Sequence, residues 1–227
     1  MKIFILIISY LFTATLLNAQ ATKTFYSLTD TSQLRALNVT MSIDVFKSKK
    51  SLKVVDINPN NNTELRFIKL ADTSFHNGII EVELAGEPMK AAFESARGFV
   101  GIAFRLNNSN EKFECIYLRP TNGRALDQVR RNHSVQYISY PNFPWQKLRK
   151  EFPEKYETYV DLEAGAWTKL KIEVKDSIAK LFVHGSIQPT LIVSDLKHGE
   201  QLKGAIGLWI GPGTEAHFRK LVITKFD

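Results

Sequence analysis

Apolar residues in this chain recur at every second position far more often than at helical spacing. In "WTKLKIEVK" (167–175), Leu170, Ile172 and Val174 fall on one side and Lys169, Lys171, Glu173 and Lys175 on the other, which predicts a strand with one buried face. "NGIIEVELAG" sets Ile80, Val82 and Leu84 against Glu81 and Glu83, and "GFVGIAFRL" sets Val100, Ile102 and Phe104 against Gly101, Ala103 and Arg105. "MSIDVF", "LKVVDI", "ELRFIKL", "KFECIYLR", "AKLFVHG", "TLIVSDL", "GAIGLWIG" and "HFRKLVITKF" read the same way, with turns carrying Gly, Pro, Asp or Asn between them. Roughly eleven to thirteen short strands with almost no helical periodicity predict an all-β, two-sheet antiparallel sandwich.

Two stretches break the alternation. The first, "MKIFILIISYLFTATLLNAQ", has a basic start at Lys2, an apolar run from Ile3 to Leu17 and a small residue at Ala19. That is the layout of a signal peptide over residues 1–19, with one domain over 20–227. Its apolar run is shorter than the ~20 residues of a spanning helix, and no second run is long enough to cross a bilayer. The expected location is therefore secreted or periplasmic.

The second break runs from Arg119 to Ala166. It contains "QVRRNHSVQYISYPNFPW" (128–145), too polar for a core strand, too aromatic for a plain linker and too rich in proline for a helix. The expectation is a long irregular loop, partly helical around Trp145 to Glu157, and loops of that length in a compact domain are usually functional.

Composition narrows the chemistry. The formal charge is +7, or +6 without a leader whose only charge is Lys2, which suits an anionic partner such as an acidic polysaccharide. The basic residues are spread along the chain and no recognition helix or RNA-binding aromatic motif is present, so nucleic acid is not expected. Cys115 is the single cysteine and lies in an apolar strand, which excludes an internal disulfide and predicts a buried thiol. His76, His184, His198 and His217 have no ligand spacing, so no metal site is expected. No nucleophile elbow or phosphate-cradling glycine loop occurs.

"FHNGIIEVELAG" resembles the opening strand of laminin G-like and concanavalin A-like jelly rolls. "FECIYLRP", "RRNHSVQY", "WTKLKIEV" and "GAIGLW…TEAHFRKLVI" resemble the branch containing the 3-keto-disaccharide hydrolase-like domains. The resemblance spans about Thr24 to Phe226. It implies two antiparallel sheets with a ligand groove on a concave face, where relatives bind or cleave glycans. Calcium is common among laminin G-like members, but "NPNNN" (58–62) has one nearby acid, Asp56, so no cofactor is expected. The E-x-D-x-x-E strand of family-16-type glucanases is not reproduced, since Glu81-Val82-Glu83 is followed by Leu84 and Ala85.

Sugar recognition needs planar polar groups that bond adjacent hydroxyls, aromatic faces, and guanidinium forks for acidic substituents. Arg119, Arg124, Gln128, Arg130, Arg131, Gln136, Tyr137, Tyr140 and Trp145 supply that mixture. His133 is the candidate for proton transfer, with Asp127 to orient it. Glu81, Glu83 and Arg105 are expected to face away from the core, the glutamates in cross-strand ion pairs, and Trp209 to be a core residue. Three functions fit: a carbohydrate-recognising domain whose ligand is an oligo- or polysaccharide, a glycan-cleaving hydrolase, and a non-catalytic envelope adhesion module.

Overall fold

The computed structural model of the chain describes residues 21–61 and 63–226. The expected leader, residues 1–19, lies outside them. The strands are β1 (Thr22–Tyr26), β2 (Leu34–Leu37), β3 (Val39–Phe46), β4 (Lys49–Asp56), β5 (Phe67–Leu70), β6 (Asn77–Pro88), β7 (Val100–Leu106), β8 (Phe113–Leu118), β9 (Val135–Tyr140), β10 (Glu157–Thr158), β11 (Thr168–Lys175), β12 (Ile178–Val183), β13 (Leu191–Val193), β14 (Ala205–Ile210) and β15 (Thr214–Phe226). Two short helices, α1 (Gln128–Asn132) and α2 (Trp145–Glu151), flank β9.

The strands form two antiparallel sheets. One has the order β13-β12-β11-β6-β15-β4-β3 with β1 added on β15, and the other β10-β9-β8-β7-β14-β5-β2. The alternation read from β11 holds: Leu170, Ile172 and Val174 are buried while Lys169 and Lys175 are exposed. In the second sheet Ile68, Leu208, Ile102, Ile116 and Tyr137 are register partners in one row. They are buried against the first sheet. Cys115 is buried as well.

The 119–166 region differs most from expectation. Instead of an irregular loop it carries both helices and β9, which pairs with β8 along its length. A strand this polar is tolerated because its groups find partners. Gln136 donates to the carbonyls of Tyr137 and Tyr156, and the Tyr137 hydroxyl donates to Glu114 at 2.7 Å. Arg105 is likewise inside, not outside. It adopts a left-handed conformation (φ 54°). From there its guanidinium donates to the carbonyls of His76, Gly199 and Asp176, so its charge is met by peptide dipoles. Glu83 meets Lys220 and Arg219, as the ion-pair reading expected.

If β11 is held by its buried face, Leu170→Ala should cost about 2–5 kcal/mol of unfolding free energy. Lys171→Ala should cost under about 1 kcal/mol. Urea denaturation of both variants checks this, and equal losses would mean the register is wrong.

Candidate functional site

The outer face of the second sheet carries an unusual row. Register places Glu157, Gln136, Tyr117, Gly101, Trp209 and Phe67 side by side on β10, β9, β8, β7, β14 and β5. Gly101 makes the row possible. A Cβ there would meet the Ile116 carbonyl and lie 2.5 Å from Tyr117 Cα. With only hydrogen at that point, the Tyr117 and Trp209 rings come together with centroids 4.7 Å apart. Trp209 is buried as expected, yet its ring is also the floor of a cleft of about 580 Å³.

The walls come from four segments. Phe93, Arg97 and Phe99 rise from the segment between β6 and β7, and Glu64 from the loop before β5. Asn122, Arg130 and His133 lie around α1, and Trp145 and Arg149 on α2. The Glu64 loop is anchored by Arg66, which pairs with Asp56 at 3.0 Å and donates to the carbonyls of Asn58, Asn61 and Thr63. The Asn-rich turn is thus built around a guanidinium. Trp209 Nε1 fastens the same loop by donating to the Glu64 carbonyl at 2.7 Å. On the other side Lys197 lies over the rings of Phe143, Phe152 and Tyr156 and pairs with Asp195, which also accepts from Tyr156. That cation–aromatic cluster clamps the α2 segment to the loop between β13 and β14.

Glu157 is the electrostatic centre. Arg149 reaches its carboxylate through Nε and NH2 at 2.8–3.2 Å, His133 Nδ1 lies 2.8 Å away and Arg119 NH1 4.0 Å. Arg119 lies over both Tyr117 and Trp145, and Arg149 over Trp145 at 4.7 Å. Burial pulls the His133 imidazole below its ordinary pKa, and the charges of Arg149 and Arg119 add to the fall while Glu157 opposes it. Burial likewise pushes the Glu64 carboxyl up, with Arg66 and Arg119 opposing.

Of the residues singled out from sequence, Arg119, Asp127, Arg130, His133 and Trp145 line this cleft. Asp127, however, does not orient His133. Its carboxylate caps α1 by accepting from the Arg130 amide at 2.9 Å, and Glu157 takes the histidine instead. Gln136 is on the row but buried, its amide spent on backbone carbonyls. Tyr137 points into the core, because strand alternation sends it to the opposite face from Gln136. Tyr140 stacks on Phe113. Gln128 donates to Asn132, Arg124 pairs with Asp161 and Glu163, and Arg131 donates to Tyr159, all on exposed surface away from the cleft lining. The residues that sequence reasoning missed are Glu157, Arg149, Glu64, Arg97, Phe99 and Tyr117. Among the described residues no group of three His, Cys, Asp or Glu side chains converges as a metal site.

No family model matches the chain, and no curated protein matches it in sequence. Solved structures match its fold. A Bacillus subtilis protein of unknown function with a galectin-like fold is 13% identical, with a TM-score of 0.54 over 90% of this chain and 100% of that one. Two Parabacteroides distasonis structures, provisionally assigned as glycosyl hydrolases, are 9% and 10% identical. Their TM-scores are 0.54 and 0.50, over 89% and 87% of this chain and 100% and 90% of theirs. The fold is a concanavalin A-like jelly roll. At such identities the likeness concerns architecture alone, and function has to be argued from the site. In this jelly roll the candidate site is the cleft over the Tyr117–Trp209 pair.

If Glu157 neutralises the basic groups around it, Glu157→Gln leaves Arg119, Arg149 and His133 facing one another. The expected loss is about 3–5 kcal/mol in urea unfolding, the range for stripping one partner from a buried pair. A loss below about 1 kcal/mol would show that the carboxylate does not organise this end of the cleft.

Proposed function

We propose that this chain is an exported carbohydrate-binding domain whose glycan lies in the cleft over the second sheet. The observation that carries the reading is the juxtaposition of the Trp145 ring and the Tyr117–Trp209 floor with Arg119 and Arg149 in one cavity of about 580 Å³. Aromatic faces take the C–H faces of sugar rings, while guanidinium groups held rigid by Glu157 bond adjacent hydroxyls in a bidentate way. Arg119, His133 and Trp145, expected from the sequence, line this cleft and support the reading. The mature chain begins at Gln20 in this reading, and no helix among the described residues is long and apolar enough to cross a membrane.

A second reading is favoured by one specific observation, the His133–Glu157 contact in a cleft that Glu64, its carboxyl pushed up by burial, also lines. Hydrolysis of a glycosidic bond uses a general acid and a general base, and a carboxyl raised by burial and an imidazole 2.8 Å from a carboxylate line the same cleft. Glu64 would protonate the leaving oxygen and His133 would take the proton from the attacking water.

One purified, secreted preparation separates the readings. Its N-terminus is checked by mass spectrometry, and a glycan array is run beside a reducing-end release assay. Binding without release is expected, with Trp145→Ala reducing affinity about tenfold or more, the scale of an aromatic hot spot. Release that is lost in Glu64→Gln would establish the hydrolase, and wild-type affinity in Trp145→Ala would rule out this cleft as the binding site.

A further inference from the structure

The cleft continues past Arg130 into an open basin of about 520 Å³ lined by Glu94, Ser95, Ala96, Arg97, Thr121 and Arg130. Ser95, Arg97 and Arg130 line both spaces, so they are one depression. Two guanidinium groups therefore stand where the aromatic cleft opens outward. Arg97 uses NH1 on the carbonyls of Glu94 and Ala96, at 2.7 and 2.9 Å. Arg130 uses Nε on Asn122 Oδ1 at 3.0 Å and NH2 on Thr121. All of these acceptors are neutral. By contrast Arg66, Arg124, Arg149 and Arg219 each meet a carboxylate. Neither Arg97 nor Arg130 forms an ion pair among the described residues, and each keeps N–H donors with no acceptor there. Burial and the nearby charge of Arg130 both weigh against the charge on Arg97, and the Glu94 carboxylate opposes them.

We infer that this basin is an anion subsite, and that Arg97 and Arg130 there grip a carboxylate or sulfate group on the sugar next to the one over Trp145. The inference rests on the carbohydrate reading of the cleft and adds the class of ligand, an acidic glycan. An anion between two like charges removes their repulsion and satisfies the open donors at once, and guanidinium forks match carboxylate and sulfate oxygens in pairs. The Ser95 and Thr121 hydroxyls stand in the same wall as further donors. Glu94 is the one acid lining the basin and works against an anion there. Its position makes the inference testable in both directions.

Inorganic sulfate tests the subsite without any sugar. Guanidinium Nε resonances of Arg97 and Arg130 should shift on titration with sodium sulfate, against a sodium chloride control of equal ionic strength, while that of Arg124 stays still. Arg97→Gln should weaken sulfate binding about fivefold or more, and Glu94→Gln should strengthen it. Shifts at Arg97 and Arg130 no larger than at Arg124 would overturn the subsite. The ligand class is then tested by calorimetry with tetragalacturonate, a sulfated galactotetraose and unmodified galactotetraose. At least one acidic probe should bind about tenfold better than the neutral one, and Arg97→Gln should shrink that difference about fivefold or more. Sulfate binding at Arg97 with equal affinity for all three sugars would refute the acidic-glycan assignment. An intact sulfate site with no binding of any glycan on an array would instead refute the carbohydrate reading on which it rests.

Discussion

Glu157 sits on a two-residue edge strand, and three basic groups from three different segments converge on its carboxylate: Arg119 beyond the end of β8, His133 at the end of α1 and Arg149 on α2. Each of those groups also belongs to the wall of the cleft. Taking a carboxylate out of water costs several kcal/mol unless its oxygens are well met, so the cluster is stable only when all the segments are in place together. The cleft is therefore assembled cooperatively with the edge of the sheet. The same constraint keeps the arginines stiff. Arg149 is held by the carboxylate and Arg119 by the His133 carbonyl and the Tyr117 hydroxyl, and both lie over the aromatic rings of the cleft, so little freedom is left to lose when a ligand arrives.

The floor answers to a different rule, the period of two along a strand. Tyr117 and Trp209 are on strands separated by β7, and their rings meet only because β7 presents Gly101 between them. Neighbouring positions on the same strands, Ile116, Ile102 and Leu208, turn the other way and fill the space between the sheets. One set of strands thus builds a dry core on one side and an aromatic platform on the other. The Glu64 loop, the segment before β7 and α2 lie over the platform, and beneath them Tyr117 and Trp209 are almost fully buried.

Fold was legible in the sequence because alternation is a local property. Leu170, Ile172 and Val174 announce their shared face within six residues, and the resemblance carried by "FHNGIIEVELAG" and "WTKLKIEV" pointed to the same jelly roll. The site was legible only in part. His133, Arg119 and Trp145 stood out by composition, and the structure brings them together. Tyr137 and Gln136 stood out equally, but a strand through "SVQYISY" sends alternate residues to opposite faces, and composition does not reveal that a polar segment is a strand. Glu157 was invisible for another reason. It is one acid among many, and its importance arises from register with Gln136 across a strand pair, a long-range fact. Asp127 shows the converse: it lies near His133 in sequence, but a helix cap claims its carboxylate first.

The three tryptophans offer the most direct test of the account, since each reports from a different place. Trp145 and Trp209 line the cleft, while Trp167 lies beside Phe46 and His217 on the first sheet. Indole N–H resonances should be followed while the best-binding glycan of an array is titrated into the protein. The signals of Trp145 and Trp209 should move together with one dissociation constant, and that of Trp167 should stay in place. Movement of Trp167 with Trp145 and Trp209 unchanged would put the ligand on the other sheet and contradict the account.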